Sequence, residues 1–497
     1  MCKLTKPSEF SARVQSCSGM NVNPSVFLVY AAPAHLIRTG YSISNLVNLN
    51  PPLGLMSIGS YLQQRGLEVE LFDFNACPEA VKGFRDALSR RRPQFIGISC
   101  TTSTFNGALM LAGMAREVLP ETAIVFGGPH VSALRESVLD RFPVIDAVVS
   151  GEGEETFYQL VSRGLEKASG IEGVVFRDAD GTARFTGPRK TLLELDSLPF
   201  PSYGALSGFP GRYRPTIFNY PRVPAASIIS SRGCPYACSY CDRSVFRRSF
   251  RYNSAGYLYE HMKYLRRDYG ARHLTFYDDQ FTFNRERVVK LCRRLISKPL
   301  GMTFNCAVRA EHVDSRLLRL MRRAGCWMIS LGIETGDPGL LAQHRRGADP
   351  DRLAECVHLI KGAGIRAKGL FMMGLPGETE ESIRRTRRYA FSLPLDDLNM
   401  TKFTPFPGSP LFGDAHQLGF FEEDWDRMDC MSFQFIPEGL TRERLERFHS
   451  DFYSSYFRRP RVWLHYLKML RDSPDSWRRF IAHAGSYLEF AFRKPET

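Results

Sequence analysis

The sequence predicts an α/β protein in which a doubly wound, flavodoxin-like domain precedes a partial barrel of six βα units and a C-terminal helical cap. Three observations support this fold. Short apolar runs alternate with helix-length segments, the runs are apolar without in-and-out alternation, and special polar residues follow them. Continuous apolarity marks strands that are buried on both faces, and therefore a parallel sheet covered by helices.

The first domain is expected over residues 25–165, where five apolar runs occur. They are SVFLVY (25–30), EVELFDF (68–74), QFIGIS (94–99), TAIVFGG (122–128) and IDAVVS (145–150). In a doubly wound sheet, ligands bind at the carboxyl ends of the strands. Here those ends carry glycines and hydroxyl-bearing residues, whose backbone N–H groups and hydroxyls can hold a bulky cofactor or its phosphate. Alternatively, glycines such as Gly127, Gly128 and Gly151 only form tight turns.

Residues 166–222 are expected to form a linker with a hairpin at VVFRDADGTARF (174–185). A second α/β series is expected over residues 223–440. Its six strand-like runs are AASIISS (225–231), HLTFYDD (273–279), MTFNCAVRA (302–310), WMISLGIET (327–335), RAKGLFMMG (366–374) and DLNMTKFTPF (397–406). Six βα units are too few for a closed eightfold barrel and indicate an open one.

In a barrel of this kind the chemistry gathers at the carboxyl ends of the strands, and the special residues of this half fall there. They are Cys234, Cys238, Cys241, Asp278, Asp279, Arg309, Glu334 and the GLPGE turn (374–378). Any one of the acidic residues or the arginine could simply be a solvated loop residue. The prediction of a functional site therefore depends on their common position at the carboxyl ends of the strands. Asp278 and Asp279 are the candidates for proton transfer.

Residues 441–497 are expected to be helical, and they contain twelve aromatic residues and twelve Lys or Arg residues against seven Asp or Glu residues. We expect a helical cap whose aromatic side chains pack on the barrel. The alternative is an amphipathic surface that contacts a membrane or a lipid-like substrate.

Composition sets the remaining bounds. The sequence has no run of about 18 apolar residues and no signal-peptide core, so we expect a cytoplasmic protein with reduced thiols. Most of the twelve cysteines lie singly in apolar stretches and indicate buried small side chains instead of disulfides. The net charge of +14 permits an anionic partner, but an arginine-rich surface explains it equally well, and we do not expect nucleic acid to be the partner.

The segment SRGCPYACSYC (231–241) places three cysteines in the pattern CxxxCxxC, and no further cysteine follows until Cys292. Three thiolates at these spacings can converge on one soft metal centre. A structural zinc site needs a fourth Cys or His, which the loop does not supply. A four-iron, four-sulfur cube on three cysteines keeps one iron open for a substrate or cofactor.

CxxxCxxC with an aromatic residue before the last cysteine resembles the signature of the radical S-adenosylmethionine (SAM) superfamily, over about residues 225–440. The resemblance implies that Cys234, Cys238 and Cys241 ligate an oxygen-sensitive [4Fe-4S] cluster. It also implies that SAM chelates the open iron, and that an electron from a reductant such as flavodoxin or ferredoxin cleaves SAM to methionine and a 5′-deoxyadenosyl radical. The SAM-binding residues it implies are Tyr240, Arg309, Glu334, Gly374 and Pro376. The family's Gly-Gly-Glu after the second strand is replaced here by FYDDQFTFN.

The first half resembles the cobalamin-binding domains that precede the barrel in one subclass, through NPPLGLMSIGSYLQQRG, GGPHVS and SGEGEETF. That subclass includes methylases of unactivated carbon or phosphorus and the anaerobic magnesium-protoporphyrin monomethyl ester cyclase. The cobalamin-binding residues that the resemblance implies are Ser99, Thr101, Gly127, Gly128, His130, Ser150, Gly151 and Glu152. The DxHxxG loop that supplies a cobalt ligand elsewhere is absent, and His35 lacks an aspartate to orient it. A degenerate domain without cobalamin is the alternative.

The leading hypothesis is an enzyme that removes hydrogen from a carbon of a small-molecule or lipid-like substrate and methylates that carbon with the help of cobalamin. The first alternative is a cyclase, oxidoreductase or rearrangement enzyme without methyl transfer. Methylthiolation of tRNA would require three more clustered cysteines, and Cys2, Cys17, Cys77 and Cys100 are not clustered. An iron–sulfur electron carrier or redox sensor needs only the cluster and leaves two α/β architectures without a role.

Overall fold

The computed structural model describes residues 25–40, 49–190, 193–482 and 484–485. The amino-terminal segment with Cys2 and Cys17 lies outside the described residues, as do residues 483 and 486–497 of the predicted helical region. The chain divides into two compact units. The described part of the first comprises residues 25–40, 52–190, 193–207 and 244–246, and that of the second comprises residues 49–51, 208–243, 247–482 and 484–485.

One sheet organises the first unit, in the order β2-β1-β3-β4-β5-β6-β7. Its strands are β1 (Ser25–Tyr30), β2 (Glu68–Asp73), β3 (Phe95–Ser99), β4 (Ala123–Gly127), β5 (Ala147–Val149), β6 (Val174–Arg177) and β7 (Ala183–Phe185). The first five strands are parallel, and their order 2-1-3-4-5 is that of flavodoxin-like folds. The predicted fold class is confirmed. The hairpin expected in the linker forms β6 and β7, which extend this sheet because β6 pairs antiparallel with β5.

Helices cover both faces of this sheet, which explains why its strands are apolar on both sides. They are α1 (Ala34–Thr39), α2 (Leu53–Gln64), α3 (Val81–Arg91), α4 (Phe105–Val118), α5 (Pro129–Leu134), α6 (Glu136–Arg141) and α7 (Gly153–Arg163). On one face Leu28, Val125 and Phe157 belong to a continuous buried cluster.

The second unit contains a six-stranded parallel sheet whose order follows the chain, β8-β11-β12-β13-β14-β15. Together with four short strands outside this sheet, the strands of the unit are β8 (Ala225–Ile228), β9 (Ser231–Arg232), β10 (Arg251–Tyr252), β11 (His273–Phe276), β12 (Thr303–Val308), β13 (Cys326–Glu334), β14 (Arg366–Met373), β15 (Asp397–Lys402), β16 (Gly419–Phe421) and β17 (Phe435–Pro437). The pairs β9–β10 and β16–β17 are short and antiparallel. The sheet is the predicted open barrel of six βα units, here a half barrel, and all its carboxyl ends lie at one edge.

The helices of this unit begin where the sequence supplies caps. They are α8 (Ala255–Asp268), α9 (Arg285–Ser297), α10 (Ser315–Arg323), α11 (Pro338–His344), α12 (Pro350–Gly362), α13 (Glu380–Ser392), α14 (Pro410–Leu418), α15 (Arg442–Phe457), α16 (Pro460–Asp472) and α17 (Pro474–Ala482). Seven of them start after a side chain that accepts a hydrogen bond from a backbone N–H of the first turn. These residues are Ser254, Asn284, Asp314, Asp337, Asp349, Thr379 and Thr441.

The last three helices form the expected C-terminal cap. On α15, the Tyr453 hydroxyl accepts a hydrogen bond from the Met400 backbone N–H at 2.9 Å, and His449 Nε2 is bonded to the Met400 carbonyl at 3.2 Å. These contacts cover the outer edge of β15. On α16, Met469 belongs to a buried cluster with Ile217 and Phe218. No helix among the described residues is both long and apolar enough to cross a bilayer.

Two glycines on α4 give a matched test of the first unit. A Cβ at Gly107 would lie 1.9 Å from the carbonyl oxygen of Ala32, whereas a Cβ at Gly113 would meet nothing within 4 Å. We expect Gly107→Ala to destabilise the unit by about 1–3 kcal/mol through overpacking. Gly113→Ala should stabilise it by up to about 1 kcal/mol through helix propensity. Thermal unfolding of the two variants measures this, and equal midpoints would contradict the packing of α4 on the β1 loop.

Candidate active site

The cysteine loop leaves the barrel at the end of β8, where a buried carboxylate fixes its first residues. Asp278 accepts hydrogen bonds from the Ser230 backbone N–H at 2.5 Å, from the Ser230 hydroxyl, and from the Ser231 backbone N–H at 3.2 Å. Arg287 lies 3.5 Å from the same carboxylate and also donates to the Ser230 carbonyl at 2.9 Å. Both side chains are almost fully buried. Asp278 therefore positions the start of the cysteine loop.

The three thiols of the loop lie close together and are free of disulfides. Cys234 and Cys238 are half-buried and Cys241 is exposed. Although the Cys241 residue is exposed, the protein surrounding its thiol, then the charge of Asp279 and then the neighbouring thiols raise its pKa to about 12. Burial first, and Asp279 and Cys238 after it, also raise the pKa of Cys234. These are thiols that ionise readily only beside a cation.

Asp279 is exposed, unlike its neighbour Asp278. The surrounding protein, followed by the charge of Asp278, raises the pKa of its carboxyl. Since its charge acts on both Cys234 and Cys241, Asp279 faces the cysteine loop.

Arg309, after β12, lies against the same loop. Its Nη1 is 3.8 Å from Cys238 Sγ, and its guanidinium stacks over the Tyr236 ring with 3.7 Å to the centroid. Glu311 pairs with the guanidinium at 3.3 Å. The Tyr236 hydroxyl is hydrogen-bonded to His312 Nε2 at 2.6 Å. A buried cation is thus held beside a cysteine by a ring and a carboxylate.

Glu334, the last residue of β13, adopts a left-handed backbone with φ of 65° at a β-bulge. A positive φ is uncommon outside glycine and often marks a functional position. Burial raises the pKa of the Glu334 carboxyl, while the charge of Arg345 and a hydrogen bond with Tyr240 oppose that rise. Burial, then the charges of Glu334 and Cys238, raise the pKa of the Tyr240 phenol. Tyr240, Glu334 and Arg345 therefore form one polar group, in which Arg345 is buried and the other two are half-buried.

The GLPGE turn after β14 is closed by its own glutamate. Gly374 has φ of 93°, a conformation that glycine adopts without strain. The backbone N–H groups of Gly374 and Leu375 donate to the carboxyl of Glu378, which is 1% exposed. Burial raises the pKa of Glu378 to about 8.

His344 joins the cysteine loop to this turn, which no sequence motif indicated. The Pro376 carbonyl bonds His344 Nε2 at 2.8 Å, and the Ser239 hydroxyl bonds Nδ1 at 2.8 Å. Because a carbonyl only accepts, Nε2 carries the proton and Nδ1 accepts from Ser239. The backbone N–H of Ser239 also donates to the His344 carbonyl at 3.0 Å. Ser239 lies between Cys238 and Cys241, so His344 positions the loop.

In the first unit, the loops after β3 and β4 lie side by side, since Ser99 is in register with Gly127. Thr101 forms a capping box with Thr104. Gly128 has φ of 103°, and a Cβ there would lie 2.4 Å from the Cys100 carbonyl, so this tight turn requires glycine. At Gly127 a Cβ would meet only the Val149 carbonyl at 3.8 Å. No neighbouring protein atom therefore requires a glycine at position 127. The space beside Gly127, at the carboxyl end of β4, is open.

The loop after β5 continues the same edge. Ser150 Oγ donates to the Ser132 carbonyl at 3.4 Å, and the Gly151 N–H donates to Ser132 Oγ at 3.1 Å. Glu152 follows as the residue before α7.

The two histidines of this unit occupy different places. His130 is 1% exposed, its Nδ1 lies 3.2 Å from Thr102 Oγ1, and burial lowers its pKa to about 3. It therefore lies beneath the loop as a neutral imidazole. His35 is exposed on α1.

Comparison with known proteins agrees with this geometry. The model of the radical SAM superfamily matches residues 228–390, and the model of the B12 binding domain matches residues 43–161. An uncharacterized methyltransferase of Pyrococcus horikoshii is 30% identical over 418 residues, which cover 83% of this chain and 89% of that protein. The chain belongs to the cobalamin-binding radical SAM enzymes.

Two further proteins show the breadth of this family. The anaerobic magnesium-protoporphyrin IX monomethyl ester cyclase of Rubrivivax gelatinosus is 26% identical over 413 residues, covering 81% of this chain and 73% of that protein. The radical SAM methyltransferase TsrM of Kitasatospora setae, solved with cobalamin and a [4Fe-4S] cluster, shares the fold. Its TM-score is 0.64 at 18% identity, over 80% of this chain and 75% of that one.

The cofactors of this radical SAM enzyme are a [4Fe-4S] cluster, SAM and cobalamin, and its side chains fit them. Three neighbouring free thiols are soft ligands of the kind that iron–sulfur clusters take. Among the described residues, no three His, Cys, Asp or Glu side chains are close enough to chelate one metal ion. A [4Fe-4S] cube does not need such a group, because each of its cysteine ligands binds a different iron. In the first unit, the hydroxyls and the free space at Gly127 fit a cobalamin that approaches the strand ends.

Glu378 generates a pH prediction. Its folded pKa of about 8 lies above the ordinary value of 4.5, so the stability contributed by the protonated carboxyl is complete below the ordinary value and is lost as pH rises through the folded pKa. Glu378→Gln keeps the acceptor for Gly374 without the charge. We expect its unfolding midpoint to gain on the parent protein between about pH 5 and about pH 8. The exposed control Glu355→Gln should follow the parent, and parallel profiles for both variants would contradict the buried position.

His344 generates a second prediction. His344→Ala removes the link between Ser239 and Pro376, and we expect about 10-fold or more weaker cluster retention, as for other groups that orient metal ligands. Iron and sulfide content after chelator challenge measures this. His344→Asn, which retains hydrogen-bonding atoms, should recover part of the loss, and His358→Ala on the exposed face of α12 should show none. Full retention in His344→Ala would mean that the loop is positioned without His344.

Proposed function

We propose that this radical SAM enzyme methylates an unactivated carbon of a small-molecule or lipid-like substrate, with Cys234, Cys238 and Cys241 holding the [4Fe-4S] cluster. The observation that carries the proposal is the group of three free thiols at the mouth of a parallel half barrel. Three cysteines leave one iron without a protein ligand. The methyltransferase of Pyrococcus horikoshii supports methyl transfer as the reaction class.

When bound, the cluster with SAM supplies a radical that removes hydrogen from carbon, and cobalamin supplies the transferable methyl group. The chain's own residues bind and orient the reactants. In this proposal Tyr240 and Glu334 lie against SAM, and Arg345 keeps the Glu334 carboxyl available as an acceptor by opposing the effect of burial. The turn at Gly374, held by Glu378, and Pro376, held by His344, line the SAM site in this proposal. The electron comes from a flavodoxin- or ferredoxin-type protein.

Arg309 and the two aspartates have separate proposed roles. Arg309 is a buried cation beside Cys238, and we assign it a contact with the SAM carboxylate. Asp278 is assigned to positioning, because its oxygens are engaged by Ser230 and Arg287. Asp279 is exposed beside the thiols, so it is the acid that can take up a proton or bind an ammonium group in place of the family's glutamate.

The proposed cobalamin site uses the hydroxyls and backbone N–H groups at the carboxyl edge of the first sheet. Its residues are Ser99, Thr101, Gly127, Gly128, Ser150, Gly151 and Glu152. His130 supports this edge from beneath through Thr102. Because His35 is exposed on α1 and His130 is buried, the proposal includes no histidine ligand to cobalt.

The cyclase relatives favour a second candidate, in which the enzyme closes a ring or oxidises its substrate without transferring a methyl group. Both candidates share the thiols and the SAM site. They differ in whether a second SAM is consumed as a methyl donor.

The products distinguish the two candidates. Protein reconstituted anaerobically with iron, sulfide and hydroxocobalamin, then given SAM and titanium(III) citrate, should form both 5′-deoxyadenosine and S-adenosylhomocysteine. The first product requires SAM cleavage at the cluster, and the second reports methyl transfer to cobalamin. 5′-Deoxyadenosine alone would support the cyclase candidate. Cys238→Ala should abolish 5′-deoxyadenosine, whereas Cys77→Ser, in the first unit, should not, and absence of both products from the parent protein would refute the proposal.

A further inference from the structure

Helix α16 leaves a row of large apolar side chains uncovered. Trp463, Leu464, Leu467 and Leu470 are 49%, 58%, 49% and 51% exposed. At 3.6 residues per turn, these four positions fall within about 120° of one helix face. Contiguous exposed apolar surface of this kind usually marks an interaction site. We call these four residues the α16 stripe.

The face of α16 opposite the stripe packs against the protein, and this packing turns the stripe outward. Val462 and Met469 are buried at 3% and 0% exposure. The Tyr466 carbonyl accepts a hydrogen bond from Trp477 Nε1 at 3.0 Å, and the Phe218 and Tyr466 rings pack edge to face, with centroids 4.8 Å apart. The helix is held by its inner side chains and presents the stripe as a fixed surface.

Positive charges border the stripe. Arg461, Lys468 and Arg471 on the same helix are all exposed. Over residues 458–482 the chain carries seven Lys or Arg residues and two Asp residues. An apolar helix face with tryptophan and leucine, bordered by cations, is the pattern of helices that lie in the plane of a membrane surface.

We propose that the α16 stripe docks on an anionic lipid bilayer, with Trp463 and the three leucines entering the headgroup region and Arg461, Lys468 and Arg471 facing lipid phosphates. A second copy of the chain is disfavoured as occupant. Pairing two stripes across a two-fold axis would bring both sets of cations together, and Asp472, the acidic residue of α16, is already paired with Arg471 at 3.2 Å. Anionic headgroups complement these charges.

The contact lies at the end of the barrel away from the cysteine loop. The Tyr466 hydroxyl donates to Asp397 at 3.4 Å, and Asp397 is the first residue of β15, whereas the cysteine loop follows the last residues of β8. Docking therefore leaves the mouth of the barrel uncovered. The inference goes beyond the proposed function and does not depend on it, since the stripe contains no residue of the proposed site.

Vesicle flotation tests the proposal on the full chain. The parent protein should float with vesicles of equal parts phosphatidylcholine and phosphatidylglycerol. Binding to phosphatidylcholine alone should be at least about tenfold weaker, and high salt should weaken the anionic binding, because headgroup attraction is screened. Leu464→Gln with Leu467→Gln removes half of the stripe, and Arg461→Gln, Lys468→Gln and Arg471→Gln together remove its border. Each variant should lose most of the bound fraction.

A matched control carries the same charge change elsewhere. Arg319→Gln, Arg322→Gln and Arg323→Gln lie on the exposed face of α10 and should leave flotation unchanged. Thermal unfolding and 5′-deoxyadenosine formation in the α16 variants should match the parent protein, which separates loss of docking from misfolding and from failure of the proposed chemistry. The proposal is overturned if the parent does not float, if the α10 variant loses as much binding, or if light scattering shows a dimer that the leucine variant dissolves.

Discussion

The loop that carries the cysteines depends on one buried carboxylate. Asp278 binds the backbone of the last residues before the loop and is paired with Arg287 in a nearly dry environment. Removing one member of a buried ion pair costs about 3–5 kcal/mol, because it leaves an uncompensated charge. Since Ser230 and Ser231 precede Cys234 by only a few residues, the direction in which the thiols leave the sheet is set at this point.

The other side of the loop is held by contacts that cross from strand to strand. His344 connects Ser239 with Pro376, so the cysteine loop after β8 is tied to the turn after β14. Arg345, the next residue, donates to the Gly332 carbonyl and faces Glu334. The parallel sheet brings the strand ends to one edge, and these two adjacent residues lock three of those ends to each other.

Much of the fold could be predicted from the sequence because each strand of the two parallel sheets is a separate apolar run. The strands β1, β11 and β14 start at the first residue of their predicted runs. The family and the thiols were accessible because spacing within one loop is visible in the chain. The pairing of the hairpin with β5 was not, since strand partners are set by three-dimensional contact. The same applies to His344 and to the difference between Asp278 and Asp279. Two adjacent carboxyls look alike in sequence, yet one turns toward Arg287 and the other toward the thiols.

The hydrogen bonds of Tyr453 and His449 to Met400 protect the edge strand β15 of the open barrel. An exposed strand edge is a template on which other chains can add and aggregate. Two side chains at this point of β15 block that growth without adding the strands that would complete the circle. The wall can therefore end at β15 without offering the Met400 backbone groups to a strand of another chain.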